Sequence, residues 1–221
     1  GFGAISVALG EGYAAGKAGE ALGKNPSMNG PILKNMLIGQ AVAESAGIFA
    51  LVVSMMLIFL DTEGSKLLQG FAYLGAGLSM GLSATGSGLG SGFPAAECCQ
   101  GIADNPPTQG NLATNMLIGS ALCQTPSIFG MVVAFMLMFL DMEGLALWHH
   151  LAAYTGAGLC MGLAAIGSGL GSGIPAGTCV RGIARQPGAM AGLRTNMLVG
   201  SAVTQTPAIF GMVVAFLLLF M

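Results

Sequence analysis

Glu44 lies in "GQAVAESAGIFALVVSMMLIFL" (Gly39 to Leu60), a stretch otherwise apolar enough for hydrocarbon, with Ser45 directly behind it. A carboxylate there can hold a proton or a cation, and the serine adds a hydroxyl oxygen. A second acid, Glu11, precedes it, and the midpoint between the two falls beside Pro26. A hairpin folded at that proline sets both carboxylates at one depth, facing each other. At ~1.5 Å per residue the helix from the turn to each acid is about 24 Å long, which reaches mid-membrane. An ionised carboxylate at that depth costs on the order of 3 kcal/mol unless a partner offsets it. Two facing acids repel as well, so they should share a proton or hold a cation between them. An all-oxygen donor set suits a hard cation such as Na+.

The acids recur at no other hairpin. Their equivalents are Ser91 with Gln124, then Ser172 with Gln205. These later copies also carry Pro94 and Pro126, then Pro175 and Pro207, where the first has Ala14 and Ala46. A mid-helix proline removes the hydrogen bond to the carbonyl four residues earlier. It frees the Leu122 and Val203 oxygens, which must find new partners in lipid. The hydroxyls of Thr125 and Thr206 lie on the adjoining turn. A cation held by Glu11, Glu44 and Ser45 could take a carbonyl and a hydroxyl from a neighbouring hairpin.

The elements that position these groups are three copies of one unit. "NMLIGQAVAESAGIF" (Asn35 to Phe49), "NMLIGSALCQTPSIF" (Asn115 to Phe129) and "NMLVGSAVTQTPAIF" (Asn196 to Phe210) align, and so do "LGEGYAAGKAGEALGKNP", "LGSGFPAAECCQGIADNP" and "LGSGIPAGTCVRGIARQP" upstream. Charged residues make up 7% of the 221 and apolar residues 54%, which places the chain in a bilayer. The expected fold is an all-α membrane protein of six transmembrane helices. They form three tandem hairpins in parallel repeat, over residues 1–62, 63–142 and 143–221, joined through "DTEG" and "DMEG". Six of the seven basic residues lie in or near the Pro-containing turns, Lys66 being the exception. That bias predicts cytoplasmic turns. Gly86, Gly88, Gly90 and Gly92, repeated at Gly167, Gly169, Gly171 and Gly173, strip one helix face bare and let backbones approach closely. A ring of tightly packed inner helices suits them. Gly1 already lies inside an apolar helix pattern, so a preceding initiator region, or a cleaved targeting segment, is expected.

Other chemistry is poorly supported. The five cysteines show no Cys-x-x-Cys spacing and read as small buried residues. His149 and His150 follow Trp148 in what reads as a polar connection at the membrane interface. "GSGLGSG" fails the dinucleotide fingerprint and "AGKAGEALGKN" the phosphate loop, and the near-neutral charge argues against nucleic acid. Glu20, Asp61, Glu63, Asp104, Asp141 and Glu143 read as solvated helix-end acids, and Glu97 as interfacial.

The whole chain resembles the rotor-ring c subunit (proteolipid) of rotary ATP synthases and ATPases. The likeness rests on the two-helix hairpins, the glycine-rich inner helix, the "RQP" turn (Arg185 to Pro187) and one outer-helix carboxylate. "GQAVAESAGIF" is similar to the sodium-translocating members, whose acid is followed by Ser or Thr. The resemblance implies a non-catalytic subunit without cofactor, which carries Na+ or H+ between adjacent hairpins. It places Val42, Leu122 and Val203 at the family's backbone-carbonyl position and Glu11 at its inner-helix ligand position. Implied partners are further copies or one-hairpin c subunits in a ring, a stator a subunit, central-stalk subunits at the Pro turns, and lipid. The implied location is a bacterial or archaeal plasma membrane. Two features depart from the family: its hydroxyls two and five residues after the acid are Ala46 and Phe49 here. Three fused hairpins with one acid resemble the duplicated proteolipids of vacuolar-type pumps. The competing class is a free-standing channel or carrier with Glu44 in its pore. A channel should line a continuous path with polar groups, whereas this chain offers one polar level.

Overall fold

Long apolar runs leave the backbone no solvent to bond, so helix is the only open structure that satisfies it in lipid. Among the described residues six α-helices result: α1 (Phe2–Lys24), α2 (Asn29–Phe59), α3 (Lys66–Asp104), α4 (Gln109–Phe139), α5 (Leu147–Arg185) and α6 (Met190–Leu219). This computed structural model describes residues 1–60, 66–140 and 147–220. The "DTEG" and "DMEG" joints, with Asp61, Glu63, Asp141 and Glu143, lie outside the described residues. Three prolines set the turns. Asn25, Asn105 and Gln186 are forced extended by the proline that follows, with φ of -140°, -143° and -136°. A single 3-10 turn then starts the return helix, closed by Met28, Thr108 and Ala189 N–H donating to the Asn25, Asn105 and Gln186 carbonyls.

The hairpins stand side by side in chain order. Helix α3 packs between α1 and α5 in one layer, while α4 packs between α2 and α6 in the other. The first layer is close because it is glycine. A Cβ at Gly10 would strike the Gly88 carbonyl, and one at Gly90 would strike that of Gly169. No larger residue permits this approach. Four segments are long and apolar enough to cross a membrane by composition: 26–59, 106–139, 148–185 and 187–219. Helices α1 and α3 fall outside that set because serine, glycine and charge replace the apolar side chains. Helix α3 does not need them, since its faces meet protein: Ser79, Ser83, Ser87 and Ser91 are all fully buried.

The apolar core is split. One cluster near the open ends runs through Val53, Met80, Leu137 and Tyr154; the other, towards the Pro turns, runs through Ile32, Ile102, Met116 and Ile183. Between them lies a polar level containing Ser87, Ser91, Gln124, Ser168 and Ser172. Trp148, His149 and His150 belong to the first turn of α5 and not to a connection; the sequence alone hides this because three polar or amphipathic residues adjoin the "DMEG" joint. Trp148 is exposed, and His150 lies against Tyr154 with ring centroids 5.7 Å apart.

Candidate ion-binding site

At the polar level each hairpin brings an inner-helix residue against an outer-helix one. Glu11 and Glu44 line one opening on the side of hairpin 1, together with Ala4, Val7, Ala8, Gly47, Ile48 and Leu51. Gln40 Nε2 donates to the Glu11 carbonyl at 3.1 Å and ties α2 to α1 just below the acids. Among the described residues, none of the other two hairpins lines this opening. The equivalent pair in hairpin 2 is closed: Gln124 Nε2 donates to Ser91 Oγ at 2.7 Å, with Ser91 at 0% and Gln124 at 7% exposure. Glu44, by contrast, is exposed and Glu11 half-buried. The difference comes from neighbours, since hairpin 2 is flanked on both sides and hairpin 1 on one.

Hairpin 3 departs from the expected pairing. Ser172 Oγ meets Thr204 Oγ1 at 3.0 Å, and Gln205 reaches across to hairpin 2, where its Nε2 donates to the Leu122 carbonyl at 3.2 Å. That carbonyl is the one Pro126 releases, so its replacement partner is an amide. Pro207 likewise releases the Val203 carbonyl. Among the described residues no side-chain donor reaches it, and Val203 is 66% exposed on the outer flank of hairpin 3.

The candidate residues therefore separate into three places. Glu11 and Glu44 meet on the open flank of hairpin 1. Gln124 is bonded within hairpin 2, and Leu122 is engaged by hairpin 3, so neither they nor the adjoining Thr125 reach Glu44 within one chain. Val203, Gln205 and Thr206 lie on hairpin 3. Val42 does not line the opening, and Ser45 Oγ bonds back to the Ala41 carbonyl at 3.4 Å.

A second polar cluster, nearer the turns, joins α1, α3 and α5 around a cavity of about 270 Å³. Glu97, read as interfacial, is buried and accepts two hydrogen bonds from the Arg181 guanidinium. The repeat alignment holds the missed signal, because Arg181 falls one helical turn past Thr178, the residue that corresponds to Glu97. Glu20 and Asp104 are exposed and paired, with Lys17 at 2.8 Å and Lys24 at 3.3 Å. Arg181→Ala strands a buried carboxylate, and should lower stability by about 2 kcal/mol. Thermal unfolding in detergent reads this, and Glu97→Gln, which leaves no buried charge, should cost clearly less. The cysteines are free; four are buried, and Cys160 is half-buried.

Comparison with known proteins matches the same three units. The family model that describes the C subunit of ATP synthase aligns with residues 1–57, 74–137 and 155–218. Proteins named as ATP synthase c subunits are among the relatives. One from Natranaerobius thermophilus is 47% identical over 55 residues, 25% of this chain and 64% of that protein. One from Alkaliphilus oremlandii is 53% identical over 55 residues, 25% of this chain and 62% of that protein. This chain thus spans just under two thirds of the length of those two. One from Petrotoga mobilis is 39% identical over 91 residues, 39% of this chain and 95% of that protein.

Proposed function

The chain belongs to the family of ATP synthase C subunits, and from that premise we propose that it is a rotor-ring component that carries Na+, or in its place H+, on Glu44 and couples that passage to rotation. Members of this family are non-catalytic membrane components, so ATP chemistry lies elsewhere in the complex. The observation that carries the reading is the opening lined by Glu11 and Glu44, which no described residue of another hairpin lines. Glu44 is the ion carrier and Glu11 the second carboxylate. The remaining oxygens come from a neighbouring hairpin: the proline-freed carbonyl at the Val203 position, with Thr206 beside it. Support comes from the seam between hairpins 2 and 3, where Gln205 already meets the Leu122 carbonyl in that register. There the amide N–H stands where a cation would otherwise be, so Gln124 and Gln205 mark silent positions.

The division into 1–62, 63–142 and 143–221 gives one loaded and two silent hairpins. The ring would contact a stator a subunit through its outer helices and central-stalk subunits through the Pro turns, placed on the cytoplasmic side of a plasma membrane. The polar level that holds Glu11 and Glu44 lies between two apolar clusters, which speaks against a continuous pore.

Carbodiimides attack protonated buried carboxyls, which gives the test. Na+ should slow labelling of Glu44, and more strongly as pH rises, because deprotonation leaves the carboxylate open to the cation. Labelling that follows pH and ignores Na+ would assign a proton site, with the missing hydroxyls at Ala46 and Phe49 as the physical reason. Labelling confined to other acids would remove Glu44 from the role.

A further inference from the structure

The seams of α2 with α4 and of α4 with α6 are built from equivalent positions but closed differently near the turns. At the second seam Asn115 is fully buried, and its Nδ2 donates within its own helix to the Asn111 carbonyl at 2.7 Å. Its Oδ1 is left to accept from across the seam, where Arg194 Nε donates at 2.9 Å. A cationic donor thus completes this buried amide.

At the first seam that donor is missing. Ala113 stands where Arg194 does, and Gln109 where Met190 does. Asn35 repeats Asn115: it is buried, at 6% exposure, and its Nδ2 donates to the Pro31 carbonyl at 2.8 Å. Among the described residues no donor reaches its Oδ1. In place of the arginine a cavity of about 440 Å³ opens, lined by Lys34, Asn35 and Ile38 on α2 and by Gln109, Gly110 and Ala113 on α4. Lys34 is exposed, and among the described residues no carboxylate pairs with it. A methyl group added at Gly110 would meet nothing within 4 Å, so the groove has room.

We infer that this groove binds the headgroup of an aminophospholipid, one per chain. The primary ammonium takes the place of the Arg194 guanidinium and donates to Asn35 Oδ1, while the phosphate pairs with Lys34. Both are charge-assisted contacts, the stronger class of hydrogen bond. The position suits a lipid. Helices α2 and α4 lie in segments long and apolar enough to cross a membrane, and the groove sits in their first turns, where headgroups stand and a lysine stem can reach up to them. Ile38 continues the groove on its apolar side, towards the acyl chains. Free phosphate would answer Lys34 and leave Asn35 without a donor. A trimethylated headgroup would do the same, because it carries no N–H. The second seam takes no such lipid, since Arg194 already holds the amide. This inference does not rest on the ion-carrier reading of Glu44.

The test uses the full chain in its assembled form, stripped of native lipid in mild detergent and loaded with one defined phospholipid at a time. Native mass spectrometry should find about one dioleoyl phosphatidylethanolamine retained per chain, and at least about tenfold less dioleoyl phosphatidylcholine. Lys34→Thr with Ala113→Arg copies onto the first seam residues that already coexist at the second, so the variant is expected to fold, and retention should fall about tenfold. Gly110→Leu keeps Lys34 and Asn35 but fills the groove, and should lower retention as well. Phosphatidylcholine or phosphatidylglycerol held as firmly as phosphatidylethanolamine, or retention unchanged in the double variant, overturns the inference. Displacement by glycerophosphoethanolamine at equal concentration also overturns it, because the site would then serve a soluble phosphodiester. Carbodiimide labelling of Glu44 should be the same in the parent and both variants, so the lipid site and the ion reading fail separately.

Discussion

Glu44→Gln is expected to abolish ion transport while leaving helix content and assembly of the protein intact. The amide is close in size to the carboxyl, so the packing with Gln40, Gly47 and Ile48 around the opening has no reason to change. What is lost is the ability to exchange a proton or bind a cation. The chain already contains the outcome twice. Gln124 donates to Ser91 and Gln205 to the Leu122 carbonyl, and both bonds are neutral, although Gln124 Oε1 is buried without a partner among the described residues. Carbodiimide labelling should vanish with transport, since the reactive carboxyl is gone. Transport measured in reconstituted vesicles that survives the substitution would move the carrier role away from Glu44. Glu11→Gln should do less. It removes one oxygen and one charge from the site but leaves the carrier, so ion affinity falls without loss of transport.

Much of this is legible in the residues because the signals are one-dimensional. The triple repeat, the turn prolines and the apolar runs fix six helices without any knowledge of packing, and the midpoint at Pro26 brings Glu11 and Glu44 to the same opening. The proline-freed Leu122 carbonyl is readable as an acceptor in need of a partner, although not that the partner is Gln205. Its long side chain can leave Ser172, because the Thr204 hydroxyl takes its place there. Lateral order is not legible. Which flank of a hairpin carries the acid depends on the rotation of each helix about its axis, and a helix surrounded by apolar or small residues gives little pattern to fix that rotation. The Glu97–Arg181 pair is legible only through the repeat alignment, because the two residues are remote along the chain and meet only once α3 and α5 lie glycine to glycine.

The two silent hairpins should change the gearing of the whole machine. In a ring with a given number of hairpins, one acid per three cuts the ions carried per turn to roughly a third of what a fully acidic ring carries, while the ATP turned over per rotation is set by the catalytic head and stays fixed. The energy of each ATP is then concentrated on fewer ions. Moving one charge across 100 mV takes ~2.3 kcal/mol, so a ring of few sites can export against a steep gradient, yet a modest gradient supplies it too little energy per turn to make ATP. Rings built only from this chain are therefore expected to favour ATP-driven export, and admixed one-hairpin proteins that each carry an acid should shift the balance back towards synthesis. Counting ions moved per ATP in vesicles, with ring composition determined on the same sample, decides the matter. A ratio equal to that of a fully acidic ring, in a ring made of this chain alone, would mean that Gln124 and Gln205 are not silent. Gln205→Glu sharpens the comparison. It places an acid opposite the Leu122 carbonyl that Pro126 has already freed, and should raise the ions moved per ATP towards twofold if that position can load and release.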